Sequence, residues 1–452
     1  MRKLAPLIPT LLLNALLCHS ARAQDPPPPS SAAPPLDPAA PPPPADPASP
    51  PPTPSAPTPK TPAEPTSPAP AADAAPAPEK PTPWYERFSI EAFVDSYVSV
   101  NFNFPEPQQN ANRFRAYDVN NGASIHWAGL NVTYPANPVG ATLSLRFGPS
   151  VPIYALGDAG TFLEYVKQAF VTLRPGGDTG KFQLDFGKAD TLVGAEVADN
   201  QLNINYTRGL VNFIAQPFFH TGFRAAYTPI PEVSIKAILV NGANNSIDNN
   251  TGKSGGAQFV FTDTKRVTAS LAYLFGPEQP DTLVLTCPVD TAPQDGACVS
   301  SPGAPESETT IEDGAANARF RHLADVVLDA KPTDEVRLLF NGDVGAEQQS
   351  GGDYALWVGA SLASSFKVAE IFSLGLRAEV LWDQKGFVSA VGDEVILGSG
   401  TLTAQLTPWE HFSAFFDVRG DGGDRPYFLT GVDGARRFQF TTTLGMIVST
   451  GS

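Results

Sequence analysis

From residue 88 onward the chain repeats one pattern: apolar and polar side chains alternate in runs of about ten residues, and the links between runs alternate between short and long. In the first run the even positions are Phe88, Ile90, Ala92, Val94, Ser96, Val98, Val100, Phe102 and Phe104, while the odd positions include Ser89, Glu91, Asp95, Ser99, Asn101 and Asn103. A period of two describes an extended strand with two unlike faces. The same pattern returns at 139–147, 182–186, 233–239, 267–275, 336–344, 372–382 and 412–418. Sixteen strand candidates follow, at 88–104, 122–134, 139–147, 164–173, 181–188, 220–227, 233–240, 256–262, 267–275, 321–330, 335–344, 354–364, 371–382, 396–406, 412–421 and 438–448.

The links decide between a soluble sandwich and a membrane barrel. The short ones are 135–138, 174–180, 228–232, 263–266, 331–334, 365–370 and 407–411, rich in Pro, Gly and Asp. The long ones run from 9 residues (345–353) to 45 (276–320) and strictly alternate with the short ones. A soluble sandwich has no reason to put every long loop at one end, whereas an outer-membrane barrel has short periplasmic turns and long external loops. The predicted fold is an all-β transmembrane antiparallel barrel of about 16 strands, with 14 to 18 the range that one merged or split candidate allows. Both termini then lie on the periplasmic side. A barrel pairs every backbone polar group within lipid, and one of this size encloses a water-filled channel. Aromatic residues at strand ends, among them Phe102, Phe104, Tyr134, Phe147, Tyr273, Phe275 and Trp382, mark the two membrane interfaces.

Composition divides the rest of the chain. Residues 1–23 read as a signal peptide: Arg2-Lys3, a short apolar run from Leu11 to Cys18, and the small residues of Ala21-Arg22-Ala23. Of 47 prolines, 26 fall between Asp25 and Pro83, so 24–83 is expected to be a disordered Pro/Ala-rich periplasmic linker. It is a spacer or a tether towards peptidoglycan or periplasmic proteins. The barrel domain is 84–452, and after Trp84 no apolar stretch is long enough for a membrane helix. The formal charge of −16 argues against nucleic acid as a partner. Outer-membrane lipid, lipopolysaccharide and small hydrophilic solutes are the partners a porous barrel implies.

A family resemblance is carried by Gln168-Ala169-Phe170-Val171, Leu184-Asp185-Phe186-Gly187-Lys188, Gly194-Ala195-Glu196, Asn205-Tyr206-Thr207-Arg208, Pro217-Phe218-Phe219-His220-Thr221-Gly222 and Asn241-Gly242-Ala243-Asn244-Asn245. In that order they resemble the OmpL-like putative beta-barrel porin family of Gram-negative outer membranes. The resemblance implies porin-like function.

Candidate chemistry is sparse. The histidines of the barrel domain, His126, His220, His322 and His411, fall on separate strands or turns without zinc-ligand spacing, and no GxSxG elbow is present. Neither a catalytic set, a metal site nor a cofactor is expected. Cys287 and Cys298, 11 apart in the longest external loop, are expected to form a disulfide. By strand parity the lumen is lined by Arg146, Asp185, Arg224, Arg337, Arg377, Glu379, Asp417 and Arg419 among others. Lys167 and Lys188 fall on lipid-facing parity, from which their amines would snorkel to the interface. The connection 189–219 is greasy for an external loop (Leu210, Val211, Phe213, Ile214, Phe218, Phe219), so it is read as packing back against the barrel and, by analogy with general porins, narrowing the pore. Residues 84–452 carry 25 Lys and Arg against 40 Asp and Glu, which predicts a mild cation preference for the channel. The alternative is a structural or binding barrel tethered through its Pro-rich segment.

Overall fold

The computed structural model describes residues 83–106, 110–263, 266–294 and 297–451. The expected signal peptide (1–23) and the expected Pro-rich linker up to residue 82 lie outside the described residues.

The barrel strands are β1 (Ser89–Asn101), β2 (Gly122–Tyr134), β3 (Val139–Phe147), β4 (Val166–Leu173), β5 (Phe182–Asp190), β6 (Phe219–Ile230), β7 (Val233–Val240), β8 (Ser254–Thr262), β9 (Val267–Pro277), β10 (Phe320–Ala330), β11 (Val336–Gln348), β12 (Tyr354–Ala369), β13 (Phe372–Asp383), β14 (Val395–Trp409), β15 (Phe412–Gly423) and β16 (Phe438–Ser449). Each pairs antiparallel with its neighbours in sequence, and β1 pairs with β16 from Phe93↔Ser449 to Asn101↔Thr441, closing a 16-strand barrel. Closure leaves no strand edge without a partner, which hydrocarbon requires.

Burial follows the sequence alternation with its usual sense reversed. In β1, Phe93, Asp95, Tyr97 and Ser99 are buried while Ile90, Val94, Val98 and Val100 are exposed. Polar side chains point inward and apolar ones form the outer surface, as a wall solvated by lipid demands. Among the described residues no helix is long and apolar enough to cross a membrane; the strands are the crossing elements.

Long and short connections do alternate around the ring, but lengths are less uneven than the sequence suggests. β11 runs on to Gln348, so its link to β12, 349–353, has five residues, fewer than the eight of the 174–181 turn at the other end. Strand extension takes the place of loop there. The longest connection, between β9 and β10, carries two small hairpins, Thr282–Cys287 with Ser307–Glu312 and Thr291–Gln294 with Ala297–Ser300.

Two register shifts matter for the interior. Asp95 pairs with Trp127 and Ser96 with Ile125, so His126 is an extra residue in β2. Ser144 pairs with Gln168 and Leu145 with Val166, so Lys167 is an extra residue in β4. A bulge breaks the period of two and re-aims a side chain. His126 and Trp127, adjacent in sequence, are both buried for this reason, and Lys167 is buried rather than lipid-facing. Lys188 is a second correction to the parity reading. Gly187, at φ 139°, immediately precedes it, a Cβ there would meet the Ala169 carbonyl oxygen at 2.1 Å, and the 148–165 connection supplies Asp158 to the Lys188 amine at 2.6 Å.

Candidate functional site

The connection 191–218, between β5 and β6, folds into the barrel and crosses the lumen. Its sequence explains why, because it presents two kinds of side chain to two kinds of wall. Leu192, Val193, Leu210, Val211 and Ile214 pack on Ile238, Leu274, Leu323, Trp357, Leu381 and Leu397 in one apolar cluster. These wall residues are apolar positions on an otherwise polar inner face. Each Leu or Ile removed from water in this way is worth about 1.5–3 kcal/mol, and no such seat exists for a loop left in solvent.

Hydrogen bonds tie the connection to the wall as well, on the strands of the apolar seat and on others. Asn200 and Tyr206 donate to Asp95 of β1 at 2.7 and 2.6 Å. The Thr207 amide and hydroxyl both donate to Asp417 of β15 at 2.8 Å, and Asn205 reaches Thr403 of β14 at 2.7 Å. Gly194 N–H donates to Asp325 of β10 at 3.2 Å, and Gln216 donates to Asn341 and Asp343 of β11 at 2.8 and 2.7 Å. The Leu210 amide donates to Glu379 of β13 at 3.1 Å, and Trp357 of β12 donates to the Ala215 carbonyl at 3.2 Å. The segment is thus held by strands around most of the ring. A cavity of about 10 Å³ beside Glu196, Asn341 and Glu379 has room for about one water.

Two charged nodes anchor it. Arg146 makes a bidentate contact with Asp199 at 3.0 and 2.9 Å, and Lys167 lies 3.4 Å from the same carboxylate. Burial alone would raise the Asp199 pKa, but Lys167 and Arg146 override it and hold it down to about 2. Arg377 bridges Glu196 of the connection at 2.6 Å and Glu379 of its own strand at 3.0 Å, and donates to the Thr207 carbonyl at 2.6 Å. Burial likewise works against the Glu196 charge, and Arg377 and then Arg208 reverse the shift, holding its pKa below the usual carboxylate range. His220, at the root of the connection, donates from Nδ1 to the Gly242 carbonyl at 2.8 Å, and its Nε2 lies 3.1 Å from the Thr191 hydroxyl. The loop 102–121 is fixed to the wall separately: Arg115 pairs with Asp118 of the same loop at 3.1 Å and with Asp421 of β15 at 3.3 Å.

The family described as "Putative beta-barrel porin-2, OmpL-like" matches residues 87–449. The chain belongs to this family. Its strands are therefore those of an outer-membrane β-barrel porin. No curated protein matches the chain in sequence. Among solved structures, it is similar to the outer membrane channel DcaP of Acinetobacter baumannii, at 12% identity and a TM-score of 0.51, covering 80% of this chain and 96% of that chain. It is also similar to OmpT of Vibrio cholerae (11%, 0.49, 80% and 97%) and to an anion-selective porin from Comamonas acidovorans (11%, 0.48, 80% and 99%).

Within this porin-family barrel the eight lumen positions read from parity separate into two groups. Arg146, Arg377, Glu379, Asp417 and Arg419 are buried among the bonds just described; Arg419 pairs with Asp421 at 2.7 Å and donates to the Arg208 carbonyl. Asp185, Arg224 and Arg337 lie nearer the end with short turns, Arg224 pairing with Asp185 at 2.7 Å and Arg337 with Asp329 at 2.9 Å. Cys287 and Cys298 are joined in a disulfide that links the two small hairpins of the longest loop. Parity could not find Glu196, Asp199, Thr207 and Arg208, because they lie outside any strand. The available signal was compositional: polar and charged residues interleaved with a greasy run inside one long connection.

Proposed function

We propose that this porin-family barrel passes small hydrophilic solutes by diffusion, with the 191–218 connection setting the limiting cross-section. The closed ring with a polar inner face, crossed by a bonded segment, is the observation that carries the reading. We assign the long loops to the cell exterior and the short turns, with both termini, to the periplasm, on the general construction of such barrels.

Charge supports a mild cation preference at the outer mouth. The arginines that could oppose it are neutralised by named partners: Arg146 by Asp199, Arg377 by Glu196 and Glu379, Arg419 by Asp421. The loop carrying Glu306, Glu308, Glu312 and Asp313 then sets the sign of the field at the entrance. The Pro-rich segment 24–83 serves as a periplasmic spacer or tether. No chemistry on a substrate is assigned.

Planar-bilayer recording on purified protein tests the reading. Stepwise conductance, with reversal potentials in a KCl gradient showing cation preference that weakens with salt, is the expected result. A barrel that inserts and never conducts, even with the connection removed, overturns it.

A further inference from the structure

We propose that Lys236 and Arg224, on the inner wall at the short-turn end, form a subsite for the carboxylate or other oxyanion group of a small solute. The inference rests on the channel reading and names a chemical class that the channel holds in transit. Both side chains face the lumen. In β7, Ile235 and Leu239 are exposed on the outer surface while Ile238 is buried within, and Lys236 shares the parity of Ile238. In β6, Phe223 is exposed outside and Arg224 takes the opposite face. Ala226 pairs with Lys236 and Arg224 with Ile238, so the two cations are diagonal neighbours on one face, within reach of a common small anion.

The charges around them do not balance. Asp185, the carboxylate of this patch, pairs across β5 and β6 with Arg224. It already accepts from Thr172 at 2.8 Å, from Gln183 at 2.9 Å, and from Arg224 Nε and Nη2 at 2.9 and 2.7 Å. Its charge is spent on Arg224. Arg174, just past the end of β4, donates to Gln183 at 2.7 Å, a neutral partner. Gln258, opposite Lys236 in β8, has its amide nitrogen committed to the Leu192 carbonyl. Among the described residues Lys236 has no ion pair, and no hydrogen bond is assigned to it.

A half-buried ammonium without a counter-charge is unfavourable, and an arriving oxyanion relieves that cost. Arg224 Nη1 is free of the Asp185 contacts, and its guanidinium lies over the Phe170 ring at 5.3 Å, which fixes its plane. Lys236 supplies a mobile point charge and Arg224 a fixed planar donor, a combination suited to a carboxylate, phosphate or sulfate group.

The test is equilibrium binding of inorganic phosphate and of acetate to the full chain in detergent, by titration calorimetry at low salt. Saturable binding is expected, weakened about tenfold in Lys236→Gln, with acetate and phosphate competing, and unchanged in Lys331→Gln on a turn. Equal binding in wild type and Lys236→Gln, or equal loss in both variants, overturns the proposal. Should Lys236→Gln fail to fold, acetylation of Lys236 in the native protein, followed by mass spectrometry, decides instead. Phosphate should slow that reaction several-fold, and an unprotected Lys236 overturns the subsite. Both measurements read binding, so a non-conducting barrel that still protects Lys236 defeats the channel reading alone, and a conducting barrel without protection defeats the subsite alone.

Discussion

Two long connections leave the same end of this barrel and meet opposite fates. The 191–218 segment turns inward and is bonded to the wall nearly around the ring, whereas the 278–319 segment builds small hairpins of its own and is held by the Cys287–Cys298 disulfide. The first carries Leu192, Val193, Leu210, Val211 and Ile214, all buried. The second has an acidic, Ser- and Pro-rich sequence whose described residues are mostly half-exposed or exposed. The difference teaches that a loop is held in a polar lumen where the wall offers an apolar seat, here Leu274, Leu323, Trp357 and Leu381, and countercharges such as Arg146 for Asp199 and Arg377 for Glu196. Among the described residues the 278–319 segment has no such apolar seat, and it carries a covalent brace, which for a closed loop of this size contributes about 2–4 kcal/mol.

Removing the inner segment is the strongest way to break the comparison. Replacing 197–207 by a short Gly-Ser link should raise single-channel conductance several-fold while barrel formation, read as heat-modifiable mobility on gels, persists. Unchanged conductance would show that the segment does not limit passage. Next in size, Arg377→Met strands Glu196 and Glu379 as buried carboxylates without their cation. The loss of the folded connection should approach about 3–5 kcal/mol, seen as new protease cleavage within 191–218 and noisy conductance. A protected loop in this variant would move the anchor elsewhere.

A pH series sharpens the same point. Asp199 has its pKa held down to about 2, against an ordinary Asp value of about 3.9. A depressed carboxylate contributes stability that is present above the unfolded pKa and lost as pH falls through the folded one. The connection should therefore stay protected from pH 7 down to about 4, with the Asp199 contribution fading between roughly 4 and 2. Opening at pH 5 to 6 would assign control to another group. Smaller still is Thr207→Val, which removes one hydroxyl bond to Asp417 and should cost about 0.5–1.5 kcal/mol, read by hydrogen exchange of the connection. The smallest effect is expected from Cys287→Ser. It should speed proteolysis of the outer hairpins while leaving conductance and barrel melting unchanged, and an altered conductance would mean that the outer loop also controls the pore.

Alternating side chains and alternating connections determined the barrel by themselves, since a period of two with an apolar outer face needs no knowledge of neighbours to read. Strand ends in the sequence reading differ from the structure most at β11 and β12, which run on to Gln348 and Ala369, because backbone pairing continues there past the last clear alternation of side chains. Of the eight positions that parity assigned to the lumen, Arg146, Asp185, Arg377, Glu379, Asp417 and Arg419 are buried in the structure, and Arg224 and Arg337 are partly exposed. What only the tertiary structure decided is which of them meet water. That depends on a segment 28 residues long finding partners far away in sequence, such as Thr207 with Asp417 and Asn205 with Thr403. It also decided His126 and Lys167, whose direction is set by bulges, and Lys188, which Asp158 of a separate connection covers. A bulge is a property of two strands in register, and a countercharge is a property of two segments in contact, so neither is written in the residues of one strand alone.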